Sequence, residues 1–81
     1  GIGAELSRQV VRFVQSVRQL QLGKPPGIAE TLDWAQALMS LGKHDLDPAA
    51  VEATLGCLAK SVEDAGKITA AGVGNLISQG G

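Results

Sequence analysis

The chain has 81 residues, a formal net charge of −1, and a hydrophobic fraction of 44% with one Phe, one Trp and no Tyr. That length bounds it to a single small domain, 1–81, able to bury only ~60–65% of the surface its unfolded chain exposes. The near-balanced charge excludes the clustered basic excess of a nucleic-acid binder, and a core drawn from Leu, Val, Ile and Ala suits closely packed helices better than a sheet.

The first helix is expected from about Ala4 to Leu22, where Leu6, Val10, Phe13, Val14 and Val17 recur at helical spacing and Arg8, Arg12, Gln15 and Gln19 take the other face. Gly23-Lys24-Pro25-Pro26-Gly27 stops it, with Gly23 suited to the left-handed residue beyond a helix end and a Pro pair unable to continue. A second helix follows, roughly Ile28 to Leu41, ending at Gly42. Ile28, Leu32, Ala35 and Met39 form one apolar face, and Trp34, Leu38 and Leu41 a second. A helix apolar on two sides needs neighbours on two sides, so this one reads as the central, twice-buried helix.

Asp47-Pro48 is a helix start, with Asp47 as N-cap and Pro48 at the first helical position. The third helix carries the stripe Val51, Leu55, Leu58 and Val62 and ends near Ala59 or runs on to Ala65; Ser61 followed by Asp64 imitates a capping box and marks the alternative, a fresh start. Beyond Gly66 the glycines weaken the helical signal. The expectation is an all-α, small three- to four-helix bundle with its core at about 4–65, and 66–81 as a short docking helix or a flexible tail.

Catalytic signatures are missing. Ser61 to Thr69 contains Gly66-Lys67, but Ser61 stands where the first glycine of a P-loop belongs and Ile68 where Ser or Thr belongs. His44 and Cys57 are the only residues of their kinds, so neither a zinc cluster nor a Cys–His nucleophile is supported, and no metal ligands are assigned. His44 reads as an exposed loop residue and Cys57 as a packed or half-buried thiol. Glu30 and Asp33 share a helix face at i, i+3, which reads as a solvated face or a local ion pair. Trp34 reads as core. A helix-turn-helix fails because the presumptive recognition helix, Asp47 to Ala59, carries Glu52 and no Arg.

With one cysteine there is no internal disulfide, no apolar run approaches the ~20 residues of a membrane span, and no signal peptide opens the chain. The expectation is a cytoplasmic protein. Its first residue is Gly, and it reads as a piece of something larger.

The stretch Gly23 to Leu41, GKPPGIAETLDWAQALMSL, closely resembles the helical lid of a subgroup of MoxR-type AAA+ ATPases, whose pattern is roughly K-P-P-G-[IV]-[AS]-E-T-L-D-W-A-x-A-L. Val10 to Leu22 is similar to that family's first lid helix with its V-x-x-L-R-x-L ending. Leu46-Asp47-Pro48 and Thr54-Leu55-Gly56-Cys57-Leu58-Ala59-Lys60 look like its L-D-P and T-L-G-x-L-x-K segments, and Glu63-Asp64 matches the E-D that follows. The resemblance covers about Leu6 to Asp64, and the tail from Ala65 onward carries none of it.

The resemblance implies a C-terminal helical lid, an AAA+ lid-like bundle that closes over ATP and Mg bound by a missing core domain. It implies coupling of nucleotide state to remodelling of subunits or client proteins, in a chaperone-like role in complex maturation. The implied partners are the upstream AAA+ core and neighbouring ring subunits, with no nucleic acid. Hydrolysis would belong to the parent protein, and this segment would bring neither catalytic residues nor a cofactor of its own. The nucleotide-facing candidates are Lys24, Gly27, Glu30 and Thr31. In most such lids an Arg near the start of the helix reaches the γ-phosphate; the register here puts Thr31 there, which supplies no cation. Lys24 or Arg18 is the candidate substitute, Arg18 alternatively pairing with Glu30 or Asp33. The competing reading is a stand-alone helical protein-interaction or adaptor module with no nucleotide role.

Overall fold

The first helix, α1 (Ala4–Arg18), buries the stripe the sequence marks: Leu6, Val10, Phe13, Val14 and Val17 are all inside. The structure, a computed structural model, describes residues 4–80. It is all-α there, with α2 (Ile28–Ser40), α3 (Pro48–Ala53), a 3-10 turn (Leu55–Cys57), α4 (Val62–Ala71) and α5 (Val73–Gly80) following in order. Five helices stand in place of the expected three or four, for two reasons that lie in the second half of the chain.

The first reason is that the third helix breaks. Thr54 has φ −113° and ψ 11° and ends α3. Its hydroxyl is drawn away to donate to the Ala50 carbonyl at 2.7 Å and to accept from the Trp34 indole Nε1 at 2.7 Å. Helix α4 then starts afresh at Ser61, whose Oγ accepts from the Asp64 amide at 3.1 Å. The stripe read as continuous is therefore split: Val51 and Leu58 are buried, Leu55 is half-buried, and Val62, in the first turn of α4, is 90% exposed.

The second reason is α5. Residues 66–81, read as a docking helix or a tail, supply most of α4 and all of α5, and α5 makes the most extensive helix–helix contact of the described residues, along α1. Ile68, Val73 and Leu76 join the core, which therefore extends well past residue 65. Gly72, at φ 90°, makes the corner between α4 and α5.

Helix α2 is not the twice-buried central helix; the most extensive pairing of the described residues is that of α1 with α5. Helix α2 buries Trp34 and Leu38, with the Trp34 ring 5.2 Å from that of Phe13. Its other apolar face is largely uncovered, Ile28 being 78%, Leu32 58% and Met39 39% exposed with Ala35 half-buried, while Leu41, on the Trp34 side at the end of the helix, is 53% exposed. Apolar periodicity locates a face that can be buried; it does not supply a neighbour, and on this side none is present. The helix ends in a Schellman arrangement: the Gly42 amide reaches the Met39 carbonyl at 2.9 Å and the Lys43 amide reaches the Leu38 carbonyl at 3.1 Å.

The end of α1 also differs from the reading of the sequence. The helix stops at Arg18 rather than Leu22, passes through a tight turn, with Leu20 N–H to the Val17 carbonyl at 3.0 Å, and the left-handed residue is Gln21, not Gly23. Leu22 is buried, which requires the chain to leave the helical path early. The radius of gyration, 11.3 Å, is close to the ~12 Å of a compact chain of this length. No helix among the described residues is long and apolar enough to cross a membrane.

Candidate functional site

The connection from Gln19 to Gly27 carries the first of the candidate residues, and it is strapped to the body of the molecule from three directions. The Arg18 guanidinium donates from Nε at 3.3 Å and from Nη2 at 3.0 Å to the Pro26 carbonyl. Asp64, only 3% exposed, accepts the Gly23 amide on Oδ1 at 2.9 Å and the Lys24 amide on Oδ2 at 3.0 Å. The Lys67 ammonium donates to the Gln21 carbonyl at 3.2 Å. Pro26 has its side chain fully buried, so the Pro-Pro-Gly run is anchored by packing as well as by hydrogen bonds.

At the start of α2, Gly27 is the N-cap in extended backbone, φ −94°. Having no side chain, it cannot cap, and the Glu30 carboxylate does so by accepting the Gly27 amide at 2.8 Å. This is half of a capping box. A Cβ on Gly27 would stand 2.9 Å from Glu30 Oε1, so a larger residue there would push the tip of the Glu30 side chain aside and loosen its bond to the Gly27 amide. The Thr31 hydroxyl turns back to donate to the Gly27 carbonyl at 2.7 Å.

Three carboxylates are held below their ordinary pKa values here and nearby, each mainly by backbone amides. For Glu30 the largest cause is the Gly27 amide, followed by its own, with Lys60 and Lys24 adding favourable charge. For Asp64 it is the Gly23 amide, then that of Lys24, with Lys67 contributing. For Asp47, the cap of α3, it is the Ala50 amide, then the Lys43 side chain.

Gly27, Glu30 and Thr31 thus come together at one helix end, and Lys24 lies beside them on the strapped loop with an exposed side chain. Arg18 pairs with neither Glu30 nor Asp33; its guanidinium is committed to Pro26. Two participants lie outside the motif that marked this region. Lys60 acts on the Glu30 carboxylate from the far side of the chain, and Asp64 fixes the loop. The sequence marked Asp64 through the likeness and through the Ser61 to Asp64 capping pattern, and neither assigns it the Gly23 and Lys24 amides.

Chemically this region is a set of satisfied local bonds. Helix N-termini attract anions, but here Glu30 already supplies one. The residues present do not make a nucleotide site by themselves: the Gly27 amide and the Thr31 hydroxyl are both spent inside the chain, and Lys24 and Lys60 are the nearby cations. The Gly66-Lys67 segment lies within helix α4 and is not a phosphate loop. His44 is exposed and Cys57 half-buried. Among the described residues, no three of His, Cys, Asp and Glu gather as metal ligands would. Comparison of the chain with known protein families, with curated proteins and with solved structures found no match.

Proposed function

We infer that this chain is the helical lid of a MoxR-type AAA+ ATPase, acting mechanically on a nucleotide held by the core domain that precedes it in the parent protein. The observation that carries this reading is how the K-P-P-G-x-x-E-T-L-D-W run is used. Pro26 is buried, Gly27 admits the Glu30 carboxylate, Glu30 caps, Thr31 locks the first turn and Trp34 fills the core beside Phe13. The run is thus one interlocked device, a loop and helix start, which accounts for such a specific string as a unit.

Asp64, Arg18 and Lys67 then tie that device to α1 and α4. A displacement of the loop carrying Lys24 would move the bundle as a rigid body, which is what a lid coupling one contact to domain rotation requires. With Thr31 in place of a cation, Lys24 is left as the lid's candidate for stabilising phosphate charge, and the lid's partners are the core and neighbouring ring subunits. The setting we assign is cytoplasmic.

The coding sequence upstream of Gly1 tests this directly. It is expected to encode a P-loop and a Walker B strand, and a stop codon or an unrelated domain there would end the lid reading. In the intact ATPase, Lys24→Ala is expected to lower ATP turnover, and unchanged turnover would remove Lys24 from the nucleotide-facing set.

A further inference from the structure

Helix α4 turns one face toward the loop and grips its main chain. Asp64 and Lys67, three residues apart and so on one face, take the Gly23 and Lys24 amides and the Gln21 carbonyl. The next residue, Ile68, pins the helix in the core. A carboxylate three residues after a helix cap ordinarily turns back to the cap's own amide. Here both oxygens of Asp64 are used on the loop instead, 40 and 41 residues away. Those two amides outweigh the cost of burying the carboxylate and hold its pKa below the ordinary value.

What this clamp orders is a segment that itself buries little. Gly23, Lys24 and Pro25 are all exposed, whereas the residues on either side, Leu22 and Pro26, are anchored by their own buried side chains. Fixing an exposed segment costs chain entropy and brings little apolar burial in exchange. The side chain fixed at its root is that of Lys24, whose ammonium makes no hydrogen bond or ion pair among the described residues. The clamp thus settles where that cation stands relative to the start of α2 and leaves its tip open to a ligand.

We propose that Asp64 is a positioning residue for Lys24: by holding the Lys24 amide, it sets the reach of the ammonium toward the phosphates of a bound nucleoside triphosphate. This role rests on the lid reading, with Lys24 facing the nucleotide. Asp64 touches neither substrate nor reacting atoms and acts only through Lys24.

Two measurements test it. In the chain as it stands, amide hydrogen exchange is expected to be slow at Gly23 and Lys24 and to become fast at both in Asp64→Ala, while the amides of α1 keep their protection. Fast exchange at both in the unmutated chain would overturn the proposal whatever the fate of the lid reading. In the intact ATPase, Lys24→Ala is expected to lower kcat/KM for ATP about tenfold, and Asp64→Ala about threefold or more. The double variant should match Lys24→Ala within about twofold, because Asp64 has nothing left to position. Asp64→Asn, which can still accept one of the two amides, is expected to lose less, and it carries the same cycle if Asp64→Ala does not fold. Asp47→Ala removes the cap of α3 and also lowers stability, yet is expected to leave kcat/KM unchanged. An impaired Lys24→Ala beside unaffected Asp64 variants, losses that multiply in the double variant, or an equal loss in Asp47→Ala would overturn the proposal and leave the lid reading standing. A silent Lys24→Ala, or a parent protein without a nucleotide-binding core, would end both.

Discussion

Gly42 and Gln21 both hold a left-handed backbone just beyond a helix, at φ 72° and 57°. For a residue with a Cβ that conformation costs ~1–2 kcal/mol, while removing a glycine lowers the entropy of the unfolded chain by ~0.4–1 kcal/mol. Nothing lies within 4 Å of a Cβ built on Gly42, so only the backbone matters there. Gly42→Ala is expected to lower unfolding free energy by about 1 kcal/mol, and Gln21→Gly to raise it by about 0.5–1 kcal/mol, because the same balance runs in reverse. Urea unfolding of the two variants checks the signs. A neutral Gly42→Ala would mean that the Schellman end of α2 is not held in solution.

At the scale of elements, α5 decides whether the bundle closes. It lies along α1, and with Val73 and Leu76 it covers a helix that otherwise has only α2 as a substantial partner in the first half of the chain. Ending the chain at Ala71 would expose much of the buried side of α1, including apolar surface worth ~25 cal/mol per Å2. A domain of this size holds only a few kcal/mol in reserve. The truncated chain is expected to lose its cooperative thermal transition by circular dichroism; a retained sharp transition would make α5 an accessory. What the sequence made legible follows the same division between local and distant. The Asp47-Pro48 start was readable because its cap bond spans three residues; the Glu30 and Thr31 bonds to Gly27 are as local, yet Glu30 read as a solvated face or an ion pair because the glycine cap offers no side-chain signal. The break at Thr54 was not readable, since it depends on Trp34 lying across from it, twenty residues away. Asp64 was not, since the amides it holds are 40 and 41 residues distant. The exposure of Ile28 and Leu32 was invisible for a different reason: helical spacing is the same whether or not a neighbour covers the face.

For the molecule as a whole, acid stability gathers these contacts into one measurable curve. Glu30, Asp47 and Asp64 are all lowered in the folded state, from ordinary values of 4.5 for Glu and 3.8 for Asp, and the first cause in each case is a backbone amide. A carboxylate with a lowered folded pKa binds fewer protons folded than unfolded, so its stabilisation is fully present above the ordinary pKa and is lost as pH falls through the folded one. The unfolding midpoint in urea is therefore expected to vary little with these groups above about pH 5 and to drop steadily beneath about pH 4.5. Asp64→Asn separates the loop clamp from the two helix caps. The amide keeps one oxygen acceptor but loses the charge and sets an NH2 donor against a backbone N–H, so stability at neutral pH falls. The acid slope becomes shallower, because one of the three titrating groups is gone. An acid slope identical to that of the parent chain would show that the loop from Gln21 to Gly27 is not held by Asp64 in solution, and that the rigid coupling of loop to bundle fails with it.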